Sequence, residues 1–207
     1  MFAMPLKPFG QISRTWIHIL FAIISIASCA DSARAEGLKA LENFIKTVKS
    51  GKSEFTQVVT SPSRAGAAPR VKNSSGSFEF LRPGKFRFQY RKPFEQLILA
   101  DGTFLWIYDA DLNQASQRKQ SSAFSNTPAA LIASATDLSA LNREFHLENA
   151  PDKDGLAWVH ARPKSADSSL QAVRIGFREN ALYQLDITDS FGQRSQITFT
   201  SMQLNPT

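Results

Sequence analysis

Gly76-Ser77-Phe78-Glu79-Phe80-Leu81-Arg82-Pro83-Gly84-Lys85-Phe86-Arg87-Phe88-Gln89-Tyr90 puts aromatic rings at alternate positions on both sides of Pro83-Gly84. Successive side chains of a strand point to opposite faces, so a period of two marks a strand with one apolar face. Pro-Gly between two such runs marks a short hairpin turn. The stretch therefore reads as two antiparallel strands, and the same rhythm continues outward from it. Phe55-x-Gln57-x-Val59 precedes it; Leu97-x-Leu99 and Phe104-x-Trp106-x-Tyr108 follow, separated by a second turn at Asp101-Gly102. A later group comprises Ala157-x-Val159, Val173-x-Ile175-x-Phe177, Leu185-x-Ile187 and Ile197-x-Phe199, with turns at Glu179-Asn180 and Phe191-Gly192. Many short strands at regular spacing predict a mainly β fold, a single curled antiparallel sheet or barrel.

Two segments break the rhythm. Leu38, Leu41, Phe44/Ile45 and Val48 recur at steps of three and four, the period of an amphipathic helix, and Gly51 is expected to close it. Residues 121–141 are rich in Ser, Ala, Asn and Thr, and carry Pro128 where the first turn of a short helix tolerates it. Asn126 or Thr127 would cap that helix, and Thr136-Asp137 a second. A small helical insertion thus divides two strand-rich halves. Ser61–Ser75 is expected to be a polar hairpin loop.

The N-terminus reads as a targeting segment. Lys7 and Arg14 precede an apolar run from Trp16 to Ala27, too short to span a bilayer and flanked as a secretory signal is. Ala33-Arg34-Ala35 supplies the small residues of a cleavage site before Glu36. Ile26-Ala27-Ser28-Cys29 also fits a lipobox, which would make a lipidated Cys29 the mature N-terminus. The Ala35 site is preferred because its small-x-small signal is complete and the first helix begins just behind it. The expected organisation is a signal peptide over 1–35 and one periplasmic domain over 36–207. That mature chain has no cysteine, which excludes disulfides, thiol catalysis and cysteine metal sites together. Removing residues 1–35 takes Lys7, Arg14, Arg34 and Asp31, so the net charge falls from +6 to +4. The remaining cations are scattered along strands and turns, as on solvated faces, which argues against a nucleic-acid partner.

Chemistry-bearing motifs are missing. The mature region has only His146 and His160, and no HExxH, GxSxG, phosphate loop or dinucleotide fingerprint. Glu144 and His146, read as two residues apart on a strand, lack a third ligand nearby. The sequence therefore predicts no catalytic residue, no metal and no cofactor. What it does carry is aromatic mass: thirteen of its sixteen phenylalanines lie behind the signal, many alternating along strands. They could fill a solid core or line a ligand cavity inside a curled sheet, and periodicity alone allows both.

Six segments, in order, resemble the LolA family. They are Glu54-Phe55-Thr56-Gln57; Gly76-x-Phe78-x-x-x-Arg82-Pro83-Gly84-Lys85-Phe86-Arg87-Phe88; Leu97–Gly102; Leu105–Asp109; Gln114-Ala115; and Asn126-Thr127-Pro128-Ala129-Ala130-Leu131-Ile132, at the family's lid. The resemblance covers Leu38 to Ile132; the second half matches only in strand pattern and turns. It implies an incomplete antiparallel β-barrel whose hydrophobic interior is covered by a helical lid. Its ligand would be the acyl chains of lipoproteins, taken from an inner-membrane ABC exporter and passed to an outer-membrane receptor by a monomeric carrier. The implied lipid-binding cavity comprises Ile45, Val48, Phe55, Phe78, Phe86, Phe88, Leu99, Trp106, Leu131 and Ile132, with Arg82 latching the barrel to lid carbonyls. The family usually continues past the equivalent of Pro206-Thr207, so the chain is either truncated or reduced at that end. Three alternatives stand beside this reading: an outer-membrane receptor anchored through Cys29, a periplasmic sensor module, and a carrier of glycolipids or fatty acids.

Overall fold

The computed structural model describes residues 36–63, 68–120, 133, 135 and 137–207. The expected signal peptide, Leu131, Ile132 and most of the expected helical insertion lie outside them.

The alternating runs become eleven strands in one antiparallel sheet. In chain order they are β1 (Ser50–Ser61), β2 (Arg70–Leu81), β3 (Lys85–Lys92), β4 (Gln96–Asp101), β5 (Phe104–Asp109), β6 (Gln114–Lys119), β7 (Phe145–Lys153), β8 (Leu156–Pro163), β9 (Leu170–Arg178), β10 (Ala181–Asp189) and β11 (Arg194–Leu204). Their spatial order is β6-β5-β4-β3-β2-β1-β11-β10-β9-β8-β7. Each half of the sequence is a meander of neighbouring hairpins, and the first strand pairs with the last to join the halves, with Phe55 opposite Phe199. The sheet stays open: its edges, β6 and β7, are consecutive in the chain but lie at opposite ends of the strand order.

Among the described residues, α1 (Glu36–Thr47) and α2 (Leu138–Glu144) accompany the sheet. Helix α1 buries Ala40, Leu41, Phe44 and Ile45 in the same apolar cluster as the inward residues of both half-sheets. Phe44 spans the join, 6.1 Å from Phe80 of β2 and 5.7 Å from Phe177 of β9. Asp137 caps α2 by accepting from the Ala140 amide at 2.7 Å, as the sequence suggests. This is the mainly β, open and curled architecture expected, with helices against its hydrophobic face.

The turn residues fall where their backbone chemistry is needed. Glu179 and Asn180 both take positive φ between β9 and β10, and Gly192 does so before β11. Three expectations are corrected. Gly51 does not close α1; it sits in β1, where the ring of Phe80 lies so close that a Cβ would be 2.4 Å from it. Ser61–Ser75 is not a loop, because β2 already begins at Arg70 and pairs with β1 as far as Ser61↔Arg70. Glu144 ends helix α2 rather than lying on a strand with His146.

Candidate functional site

Which face of each strand lines the interior follows from register. Directly opposed residues share a face, and Ser53↔Phe78↔Phe88↔Ile98 and Gly51↔Phe80↔Phe86↔Ala100 run across β1 to β4. The resulting aromatic cluster is dense: Phe78, with no exposed surface, lies 4.4 Å from Phe88 and 5.4 Å from Phe199. Phe55 meets Phe88 edge-on at 5.2 Å. Ile45, Val48, Phe55, Phe78, Phe86 and Phe88 are thus brought together in the interior.

Leu99 and Trp106 are not. Leu99 opposes Arg87 on one side and Trp106 on the other, so all three share the outer face, and Trp106 is 37% exposed. The physical reason is that β4 and β5 (QLILAD and FLWIYD) are apolar on both faces, so alternation cannot say which set is inward. Ile98, Ala100 and Leu105 take the inward positions instead.

Arg82 enters this interior from the β2–β3 turn. Its Nη1 donates to the carbonyl of Ala135 at 2.6 Å, and its guanidinium lies 5.4 Å from the Phe44 ring and 5.5 Å from that of Phe80. Nε and Nη2 are buried and find no acceptor among the described residues. Burial pulls the group down to about 10, so it remains a cation at neutral pH. Around it, Leu41, Ile45, Leu141, Phe177 and Leu182 enclose a void of only about 10 Å³, room for one water molecule at most. Around the guanidinium, the described side chains are thus closely packed.

A second set of contacts, with no motif to announce it, closes the same end. Gly84 donates its amide to the Ala133 carbonyl at 2.8 Å, while its own carbonyl accepts from Gln120 Nε2 at 2.5 Å. Gln120 Oε1 accepts from the Gly102 amide at 2.9 Å. Gln120 is one of the few buried polar residues, and its amide ties the two hairpin turns to the neighbourhood of residue 133. A lone glutamine after an edge strand carries no sequence signal for such a role.

Tyr90 closes the aromatic row of β3. It meets Phe55 edge-on at 5.1 Å, and burial pushes its phenol up to about 12. In the unfolded chain the phenol titrates near 10. Folding thus holds a proton that the unfolded chain has lost, so the stability tied to Tyr90 is intact below pH 10 and drains away as pH rises toward 12. Denaturant titrations between pH 10 and 12 should show the wild type losing up to about 1.4 kcal/mol more per pH unit than Tyr90→Phe. Parallel loss in the two proteins would mean that the fold does not hold this phenol neutral.

Among the described residues no group of three or more His, Cys, Asp or Glu could hold a metal ion, and no helix is long and apolar enough to cross a membrane. Comparison with known proteins adds the family. Residues 46–207 match the family described as outer membrane lipoprotein carrier protein LolA. The outer-membrane lipoprotein carrier protein of Albidiferax ferrireducens is 59% identical over 190 residues, covering 90% of this chain and 89% of that protein. The protein of the same description from Leptothrix cholodnii is 44% identical over 189 residues, covering 89% and 85%. A solved LolA-superfamily structure from Nitrosomonas europaea is similar over 83% of this chain and 94% of its own, with 11% identity and a TM-score of 0.46. The chain belongs to the LolA family of outer-membrane lipoprotein carrier proteins.

Proposed function

We propose that the mature protein, residues 36–207 as a single domain released by cleavage behind Ala35, is a monomeric periplasmic carrier of lipoproteins. It takes the acyl chains of its cargo from an inner-membrane ABC exporter into the interior and passes them to an outer-membrane receptor. The observation that carries this reading is a guanidinium sunk among hydrocarbon side chains, its Nη1 on the Ala135 carbonyl and its Nε and Nη2 without an acceptor among the described residues. A core built only for stability gains little from such a group. A latch gains from it, because the bond is strong enough to close the interior and poor enough to be given up.

Energetics favour the same arrangement. Each buried CH₂ contributes roughly 0.8 kcal/mol, so several long acyl chains in a perfectly matched cavity would sum to tens of kcal/mol and never leave. The close packing around Arg82 would have to be opened before acyl chains could reach it, and that cost would offset part of the gain. Ile45, Val48, Phe55, Phe78, Phe86 and Phe88 are the described residues that acyl chains would displace or line. Arg82, bonded to Ala135 within the 121–141 insertion, is the group that opening would release. The role is binding and transfer, with no chemical step and no cofactor.

Native mass spectrometry of the protein taken from periplasm tests this in one measurement. The expected result is a chain beginning at Glu36 that carries bound acylated lipoprotein in part of the population. A chain beginning at a lipidated Cys29 would assign it instead to the membrane-anchored receptor. Free fatty acids or glycolipids as the sole bound species would overturn the cargo assignment.

A further inference from the structure

The concave face changes character along its strands. Toward the Arg82 end, its inward positions are Phe78, Phe80, Phe86, Phe88, Ile98 and Ala100. Toward the other end, the same face of the same strands turns polar. Phe55 opposes Gly76, Gly76 opposes Tyr90, Tyr90 opposes Gln96, and Gln96 opposes Asp109, so one row crosses from ring to carboxylate within five strands. The next row sets Gln57 against Ser74. Gln57, Ser74, Gln96 and Asp109 are half-exposed, so this end of the concave face stays open to solvent and can take up a polar group.

These residues line a hollow of about 380 Å³, the size of a small-ligand site, and it adjoins the aromatic interior through Tyr90. Tyr90 stacks on Phe88 at 6.2 Å, so its ring belongs to the hydrocarbon side while the residue also lines the hollow. Phe94 and Leu112, 61% and 65% exposed on hairpin turns, form an apolar rim. Lys72 and Lys92 are donors only, Asp109 and Asp111 acceptors only, and the Tyr90 and Ser74 hydroxyls and the Gln96 amide can serve as either. Gln57 uses one N–H on the Ser195 hydroxyl at 2.6 Å, which fixes its amide at the edge of the hollow. Ester carbonyls are acceptors without donors, so hydroxyl, amide and ammonium N–H and O–H groups set beside a hydrocarbon interior suit a lipid at its glyceryl esters. The carboxylates of Asp109 and Asp111, also at this hollow, suit the N–H groups of a peptide following the lipid.

We propose that this hollow seats the glyceryl-diester headgroup of the ligand, with its acyl chains running past Tyr90 into the aromatic interior. The inference rests on the carrier reading above and adds an orientation to it: headgroup away from Arg82, chain ends toward it. It also gives the carrier a means of preferring diacylglyceryl ligands over single fatty acids of equal chain length.

The test uses the full mature chain and displacement of a fluorescent fatty acid by three competitors: a synthetic dipalmitoyl-glyceryl-cysteinyl peptide, phosphatidylglycerol and palmitate. Wild type should bind the lipopeptide more tightly than palmitate. Ser74→Ala combined with Gln96→Leu should weaken the lipopeptide about tenfold while palmitate stays within about twofold, the loss expected for two hydrogen bonds. An equal loss for phosphatidylglycerol supports recognition of any glyceryl diester; a loss confined to the lipopeptide supports recognition of the lipoprotein headgroup. Unchanged lipopeptide binding, or an equal loss for palmitate, overturns the headgroup site while leaving the carrier reading intact. If wild type binds none of the three, the carrier reading itself has failed, and this inference falls with it.

Discussion

Replacing Gly76 by alanine will destabilise the protein by about 3 kcal/mol, at the top of the range for overpacking. A Cβ at this position would stand 1.9 Å from the Gln89 carbonyl oxygen and 2.8 Å from its carbon. Both are backbone atoms of β3, so no side-chain rotation relieves the overlap. The close approach occurs where the β2–β3 register shifts, between Ser75↔Lys92 and Gly76↔Tyr90. Gly76 also opposes Phe55, which leaves room for that ring on the concave face. Gly155→Ala is the comparison: its φ of +71 is unfavourable for alanine, but nothing lies within 4 Å. That variant should cost only about 1 kcal/mol. Denaturant unfolding of both proteins measures the difference, and equal midpoints would show that the β2–β3 contact relaxes freely.

The strand plan was legible because alternation is a physical consequence of the pleat. Phe86-x-Phe88-x-Tyr90 could be placed on one face without a structure, and Pro83-Gly84 could be placed at a turn. What alternation cannot supply is the direction of the inward face when both faces are apolar, and Leu99 and Trp106 were misplaced for that reason. Polar strands hide as well: the residues of β6 (QASQRK) are all exposed on an edge, and those of β7 (FHLENAPDK) alternate weakly. The half-polar concave face was invisible because Gln57, Ser74, Gln96 and Asp109 are far apart in sequence and meet only through register. Arg82 stood out through the LolA resemblance and not through physics, since an arginine before a turn proline is ordinarily a surface residue.

Arg82→Leu is expected to take up cargo normally and to release it at least tenfold more slowly. In the closed protein the guanidinium gains one charge-assisted bond, on the order of 1.5–3 kcal/mol, and two aromatic faces. Leucine forfeits that bond and those faces. Around hydrocarbon cargo the preference reverses, because leucine buries favourably against acyl chains where a cation does not. The substitution therefore shifts the balance toward the loaded state by about the value of the lost bond, a factor of ten or more in release. On the proposed reading, Nε and Nη2, unpartnered among the described residues, leave the latch weak enough to open. Transfer from loaded carrier to outer-membrane receptor gives the rate directly. Arg82→Lys, which keeps the charge but not the fork, should fall between the two. Wild-type transfer by the leucine variant would return Arg82 to the status of a turn-flanking residue.

The pairing of first strand with last also imposes an order of assembly. Ser53 of β1 donates its hydroxyl to the Thr200 carbonyl of β11, 147 residues away in sequence. Contacts of that separation form late, since the entropy of closing the loop must be met before the contact is made. A chain emerging N-terminus first can zip β1 to β6 into a meander, yet β1 keeps one bare edge until Arg194–Leu204 arrives. Until that moment there is no enclosed hydrocarbon interior, only an aromatic face open to solvent and to other chains. Competence to hold cargo is therefore acquired in the final step of maturation. A chain cut short before Arg194 would be two unjoined half-sheets prone to aggregation rather than a weaker carrier.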